Sequence, residues 1–463
     1  MKRKLLIVIS LLLAGLFASA QNVTVVTMDV ANVLPSTYNY CGMVRNWTGT
    51  NYTLSMAGGG GDLAFVAIDH SDFVNGVASP TFPLYLANIS PKIHVVTDFC
   101  VVGDYAFFCG YRSTYDTSTL SYSNIYYIGH FDMNELITGP NVHYKMMKIP
   151  DASVLERIEG FDDVYGFKVY ALGSKWVGDT ANRHAIYEID NPPAATGYSY
   201  VLLDTQLPLY AERMDEIVVL EKEVVFLGRD NFHLGTTYPG AINMRKINKT
   251  MGLSDLQLAI LYLFQNPIQD EYNSAIHATY MGNNEFVISY THTDYTDGNS
   301  YNRIRVFDNQ LTNTNSQQYP REDKLSLYDL AYNRDNEVLT ISEPWQGTSR
   351  FVFAKPNLTF NYMTLFLYDL DVAYGTLDTI SGQQYITASG KNYLMQHAGV
   401  LSYNPQATSN DCLYDETFKV DIISDMTSST MPLSPTYFSP NSTTESPLKP
   451  MTTYLMDIIC NSK

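Results

Sequence analysis

The chain has 463 residues and a net charge of −18, with 16% charged residues, 13% aromatic residues and 36 tyrosines. Acidity on this scale argues against nucleic acid or an anionic membrane surface as partner, since both would repel it. The wealth of Tyr, Thr, Val and Ile, without any long helical periodicity, points to strands.

In chain order, the first element reads as a secretory signal. Lys2, Arg3 and Lys4 form a positive head, Leu5 to Phe17 is an apolar run, and Ala18-Ser19-Ala20 fits a small-x-small cleavage site, placing Gln21 at the mature N-terminus. The competing reading, a permanent N-terminal anchor, needs a longer run. No cysteine stands at the cleavage point to carry a lipid. Removing residues 1–20 takes away three positive charges and lowers the net charge from −18 to −21. The most apolar later stretch, Leu256 to Phe264, has about half the length of a membrane span. The expectation is export, to the periplasm, the outer surface or the medium.

Beyond Val23 to Met28, an alternating strand, a repeat sets in. Short apolar strands end in Asp or Asn at Asn88, Asp132, Asp190, Asn248, Asp308, Asn357 and Asn404, at intervals of 44, 58, 58, 60, 49 and 47 residues. Between the marks lie hairpins, such as Val101 to Phe108, Ile217 to Phe226, Met281 to Ile288 and Asn333 to Leu339. Gly, Asn and Asp at their tips supply the positive φ that tight turns demand. In three repeats the second strand ends in glycine, at Gly110, Gly173 and Gly228. Each repeat thus reads as four strands, A to D, with the mark closing C. A β-sandwich would not explain seven similar units.

This repeat plan resembles the broad class of secreted bacterial β-propellers, kelch-like or WD-like in plan, without a Trp-Asp dipeptide, a kelch double glycine or a sialidase Asp box. The resemblance implies an all-β fold of seven four-stranded blades over residues 21–407. The N-terminal strand would close the ring, and residues 408–463 would form a small C-terminal β appendage. It implies little about function.

In a propeller the A strands line the channel, and the B–C and D–A loops share one face. The long loops here are the B–C loops, each with an aromatic; Tyr115, Trp176, Phe232, Tyr295 and Trp345 are the candidate ligand-binding residues. Their competing role is packing between blades. A second recurring set, Asp98, Glu159, Asp215, Asp329 and Asp378, with Ser274 in the fifth repeat, falls near the starts of A strands. As channel-mouth carboxylates these would attract a cation such as calcium; their competing role is to accept N–H groups from the neighbouring blade. Five cysteines occur, none with metal-ligand spacing; Cys412 and Cys460 bracket the C-terminal segment and are expected to form a disulfide. No catalytic motif stands out. The leading reading is a secreted binding protein for a glycan, peptide or envelope partner, with no cofactor. The alternative is a polysaccharide-active hydrolase or lyase using the channel-mouth carboxylates.

Overall fold

The computed structural model describes strand pairing from Val23 to Ser462 and the side chains of most residues between Val95 and Ala354. β1 (Val23–Asp29) comes first. Groups of antiparallel strands follow, each a meander. They are β2 (Met43–Asn46), β3 (Tyr52–Gly59), β4 (Asp62–Asp69) and β5 (Thr81–Asn88); then β6 (Val95–Val102), β7 (Tyr105–Asp116), β8 (Ser121–Asp132) and β9 (Val142–Ile149), with a short helix α1 (Met133–Thr138) between the last two. Next come β10 (Ala152–Asp163), β11 (Gly166–Val177), β12 (Ala181–Asp190) and β13 (Ser199–Leu202); and β14 (Glu212–Val219), β15 (Glu223–Asp230), β16 (Ala241–Asn248) and β17 (Leu258–Phe264). The first strand of the following group is split into β18 (Glu271–Asn273) and β19 (His277–Gly282), both paired with β20 (Glu285–Asp294); β21 (Ser300–Asp308) and β22 (Asn313–Arg321) complete it. β23 (Asp329–Asn333), β24 (Val338–Trp345), β25 (Thr348–Ala354) and β26 (Thr364–Leu367) form another. β27 (Val372–Ile380), β28 (Gln383–Lys391) and β29 (Gln396–Tyr403) take β1 as their fourth strand.

The marks that betray the repeat have a structural cause. Asn88, Asp132, Asn248 and Asp308 each pair with the first residue of the preceding strand, at Asp62, Tyr105, Glu223 and Glu285; Asp190 pairs with Lys168. At three of them the side chain then turns the chain. Asp132 accepts the N–H of Asn134, Asn248 that of Thr250, and Asp308 those of Gln310 and Thr312. Asp and Asn recur because a short side-chain oxygen can cap a turn two residues on. Asn357 and Asn404 lie outside the described residues.

The sheets pack face to face. Val224 and Phe226 of β15 enter one core with Tyr170, Leu172 and Ile186, while Val225 and Leu227 enter the next with Phe286, Ile288 and Phe307. Successive strand residues point to opposite faces, and here both faces are covered, so the central strands read as unbroken apolar runs. The first strands of the groups lie against one another in succession: β2 against β6, β6 against β10, β10 against β14, β14 against β19, β19 against β23, β23 against β27, and β27 against β2.

Where the sequence reading gathers residues 408–463 into one appendage, the pairing distributes them over the outer edges of the groups. β30 (Leu413–Tyr414) adds to β26, β31 (Asp421–Ile422) to β22, β32 (Met426–Pro432) to β17 and β33 (Thr436–Phe438) to β13. β34 (Thr444–Leu455) adds to β9 with its first half and to β5 with its second, and β35 (Asp457–Ser462) adds to β1. All these pairings are antiparallel, and the tail visits the groups in reverse chain order from β26 back to β5 before it reaches β1. Short polar strands cannot bury a core of their own, but they can satisfy the unpaired backbone of an existing edge. Pro432, Pro447 and Pro450 sit in these outermost strands, where a missing N–H is tolerated.

Candidate functional site

The A-strand starts are built around bulges. The pairing slips between Val96 and Asp98, between Leu155 and Arg157, and between Met214 and Glu216, opposite Gly110, Gly173 and Gly228. The glycines are there because the bulged strand presses in: a Cβ on Gly110 would stand 2.1 Å from the Val95 carbonyl oxygen, and one on Gly173 would stand 2.2 Å from that of Val154.

Side chains at the bulges join one sheet to the next. Asp98, 2% exposed, accepts the backbone N–H of Ile158 in the following group at 2.8 Å. Arg157 donates through Nε to the Asp215 carbonyl at 3.0 Å and stands 3.5 Å from the Glu216 carboxylate. Asp215 pairs with Arg229 at 2.9 Å and accepts the N–H of Ile276 at 3.2 Å. Burial pushes its carboxyl pKa up, against the opposing pull of Arg229, the Ile276 N–H and Arg157. Glu216 approaches His277 Nδ1 at 3.9 Å, and His277 Nε2 lies 3.1 Å from the Leu327 carbonyl oxygen. This polar seam crosses five successive groups, and it uses Asp98 and Asp215 for the inter-sheet N–H contacts named above as their competing role.

The recurring carboxylates do not share one level. Counted from the bulges, Asp215 is the inserted residue, Asp98 lies one residue on and Glu159 three. Glu159 accepts the N–H of its own neighbour Gly160, and Asp329, the first residue of β23, accepts that of Leu330. Asp378 pairs with Tyr385 near the far end of β27; its side chain lies outside the described residues. Ser274 is buried in the split between β18 and β19, where its hydroxyl accepts the Thr291 N–H. Among the described residues no cluster of three or more His, Cys, Asp or Glu is placed to hold a metal ion. Arg157, Glu216 and His277 escaped the sequence reading. Counting from Gly110, Gly173 and Gly228 would have aligned Arg157 and Glu216 with Asp98.

The candidate aromatics divide. Tyr115 stands near the tip of the β7–β8 hairpin, 49% exposed. Trp176 and Trp345 occupy the corresponding B–C tips by register, paired with Asn182 and Thr348; their side chains lie outside the described residues, as do Phe232 and Tyr295 altogether. The β7–β8 hairpin extends past its neighbouring strands at this end. β6 reaches only to Tyr111 and β9 only to Tyr126, so residues 112–116 and 121–125 run on as a two-stranded arm. Tyr115 packs on Tyr122 with ring centroids 4.9 Å apart, and Tyr122 and Leu120 are each 76% exposed.

Two thiols and one imidazole lie beneath. Cys100 and Cys109 are buried, and burial pushes the Cys109 thiol far up in pKa; Cys412 and the side chain of Cys460 lie outside the described residues. His130 sits against Phe107 and Tyr105, at 5.2 and 5.9 Å between ring centres. Burial, with the nearby Lys145, lowers its pKa to about 4. The unfolded chain binds this proton near pH 6.5, so stability is unaffected above that value and falls as the pH drops toward 4. The loss amounts to about 3 kcal/mol. His130→Phe should remove that part of the acid sensitivity, read as a smaller fall in the urea midpoint between pH 7 and pH 4 than the parent shows.

No protein-family model matches the chain and no curated protein aligns with it. Among solved structures, the WD40 domain of Toxoplasma gondii coronin aligns over 86% of this chain and 89% of its own, with 8% identity and a TM-score of 0.38. The polysaccharide lyase Uly1 aligns over 66% of this chain and 89% of its own, with 10% identity and a TM-score of 0.31.

Proposed function

We propose that the chain is an exported seven-bladed β-propeller that acts as a binding protein, with its ligand on the face formed by the B–C tips and the starts of the A strands. Seven successive four-stranded groups, and first-strand contacts that return from β27 to β2, support the ring. β1 would close it as the outer strand of the last blade, and the C-terminal strands would run around it as a belt.

The observation that carries the binding reading is the arm: two solvent-facing tyrosines, tilted against each other and projected beyond the sheet. Exposed aromatics on a protruding element suit recognition. The enzyme alternative is weakened because Asp98 and Asp215 already serve inter-sheet contacts and are buried. A glycan and peptide array probed with the protein starting at Gln21 is expected to yield a ligand. Its signal should fall when Trp176 and Trp345 are both replaced by alanine, with little change in melting temperature. Variants that melt much lower yet bind as before would make these tryptophans packing residues.

The disulfide reading gains a topological sense. Leu413, the residue after Cys412, pairs with Leu365 of β26, and Cys460 pairs with Val25 of β1, so the two belt ends belong to consecutive groups. A Cys412–Cys460 bond would close the belt on itself. Non-reducing peptide mapping of the exported protein should recover these two cysteines linked and Cys100 and Cys109 as thiols; recovery of Cys412 and Cys460 as thiols would refute the bond.

A further inference from the structure

The arm has two faces of different chemistry. Directly opposed residues share a face of a strand pair, as do alternate residues along a strand. One face therefore carries Tyr111 opposite Tyr126, then Ser113 opposite Asn124, then Tyr115 opposite Tyr122. The contacts bear this out. The rings of Tyr111 and Tyr126 are 5.6 Å apart, Ser113 donates to the Asn124 side-chain oxygen at 2.8 Å, and Tyr115 meets Tyr122 at 4.9 Å. The other face holds Arg112 and Thr114, with Thr114 bonded to Ser123 at 2.8 Å.

Tyr126, 5% exposed, belongs to the core with Tyr111 packed against it, so the solvent-facing part of this face runs from Ser113–Asn124 to Tyr115–Tyr122. We propose that this part of the arm is a binding strip for an uncharged polysaccharide chain; this rests on the binding-face reading above and names its ligand class. Four features select that occupant. The strip holds no Asp, Glu, Lys, Arg or His, so it offers no acidic or basic side chain to pair with an anionic or cationic ligand. The surrounding protein, at −18, repels anionic glycans. Paired tyrosines give flat, amphipathic contact area that loses little entropy on binding, matching the apolar face and hydroxyl rim of a pyranose ring. The Ser113 hydroxyl and the Asn124 amide stand beside the exposed ring pair on the same face, about 7 Å along the strands, as polar partners for sugar hydroxyls. Cross-strand tyrosine packing and the Ser113–Asn124 and Thr114–Ser123 bonds also stiffen a hairpin that would be marginal alone, so the strip is formed before any ligand arrives.

The test is affinity electrophoresis of the protein starting at Gln21 through gels holding hydroxyethylcellulose, galactomannan or laminarin, with polygalacturonate and hyaluronate as anionic controls. At least one uncharged polymer should retard the protein, and Tyr115→Ala with Tyr122→Ala should weaken that retardation by about tenfold or more. Tyr115→Phe with Tyr122→Phe should stay within about threefold of the parent, since the stacking rings remain. Undiminished retardation of the alanine variant would overturn the strip while leaving a ligand elsewhere on the face. Retardation by the anionic polymers alone, or binding on a peptide array with none to any polysaccharide, would overturn the ligand class while sparing the binding face. A blank result on every gel and array would end both. If the alanine variant melts more than about 5 °C lower, the tyrosines are packing groups and the proposal fails.

Discussion

A chain ending at Gln406 is expected to aggregate as it folds, whereas one ending at Leu455 should remain largely monomeric. The long truncation removes β30 to β35 and uncovers the outer edges of β26, β22, β17, β13, β9, β5 and β1. The short one uncovers β1 alone. The free energy of each lost ladder is small. A backbone hydrogen bond contributes about 1 kcal/mol net, and ordering a residue costs about 1–2 kcal/mol. The decisive effect is therefore exposure of many open strand edges on one molecule, each a template for another chain. Light scattering during refolding measures it. A monomeric Gln406 truncation with the parent's melting temperature would show that the belt is dispensable.

The second large effect falls at Asp215. Replacing it with alanine strips the charge partner from Arg229, whose side chain is 6% exposed, and removes the acceptor of the Ile276 N–H in the next sheet. Breaking one half of a buried ion pair costs about 3–5 kcal/mol. Asp98→Ala, which loses the acceptor of the Ile158 N–H, should cost about 1–3 kcal/mol. Urea denaturation would rank the two. Adding Arg229→Met to Asp215→Ala should return part of the loss, because the orphaned charge goes with it. Equal costs for Asp98→Ala and Asp215→Ala would contradict the ion-pair account.

What the sequence makes legible is what local chemistry specifies. Asp132, Asn248 and Asp308 recur because each caps the same turn with its own side chain, a requirement fulfilled within four residues. Gly110 and Gly173 recur because each faces a bulge in its own hairpin partner. The belt is of another kind. Whether Met426 to Pro432 joins a neighbour in sequence or reaches back to β17 depends on which edge stands open in the folded molecule, and no local pattern records that. Its prolines hold the one hint, since Pro447 and Pro450 suit an outermost strand better than an inner one.

The site divides along the same line. Tyr115 is visible in sequence as an aromatic after a B strand, but Tyr122 and Ser113 gain meaning only once the β7–β8 register sets them on one face. The recurring carboxylates look equivalent when counted from the marks. The same bulge sits in all three strands, but Asp215 is its inserted residue, Asp98 lies one residue on and Glu159 three, so the carboxylates part company in space. The polar seam of Arg157, Glu216 and His277 joins residues as much as 120 positions apart and has no local signature.

The most direct test of the binding-face account is differential hydrogen exchange, with and without the ligand that the array selects. The two ends of the sheets can be separated by this method, because the B–C tips and the A–B turns lie at opposite ends of the same strands. The account predicts protection concentrated in residues 111–126, with further protection at the tips around 176–182 and 345–348. Protection confined to the A–B turns around 103–104, 164–165, 221–222 and 283–284, with none on the arm, would contradict it.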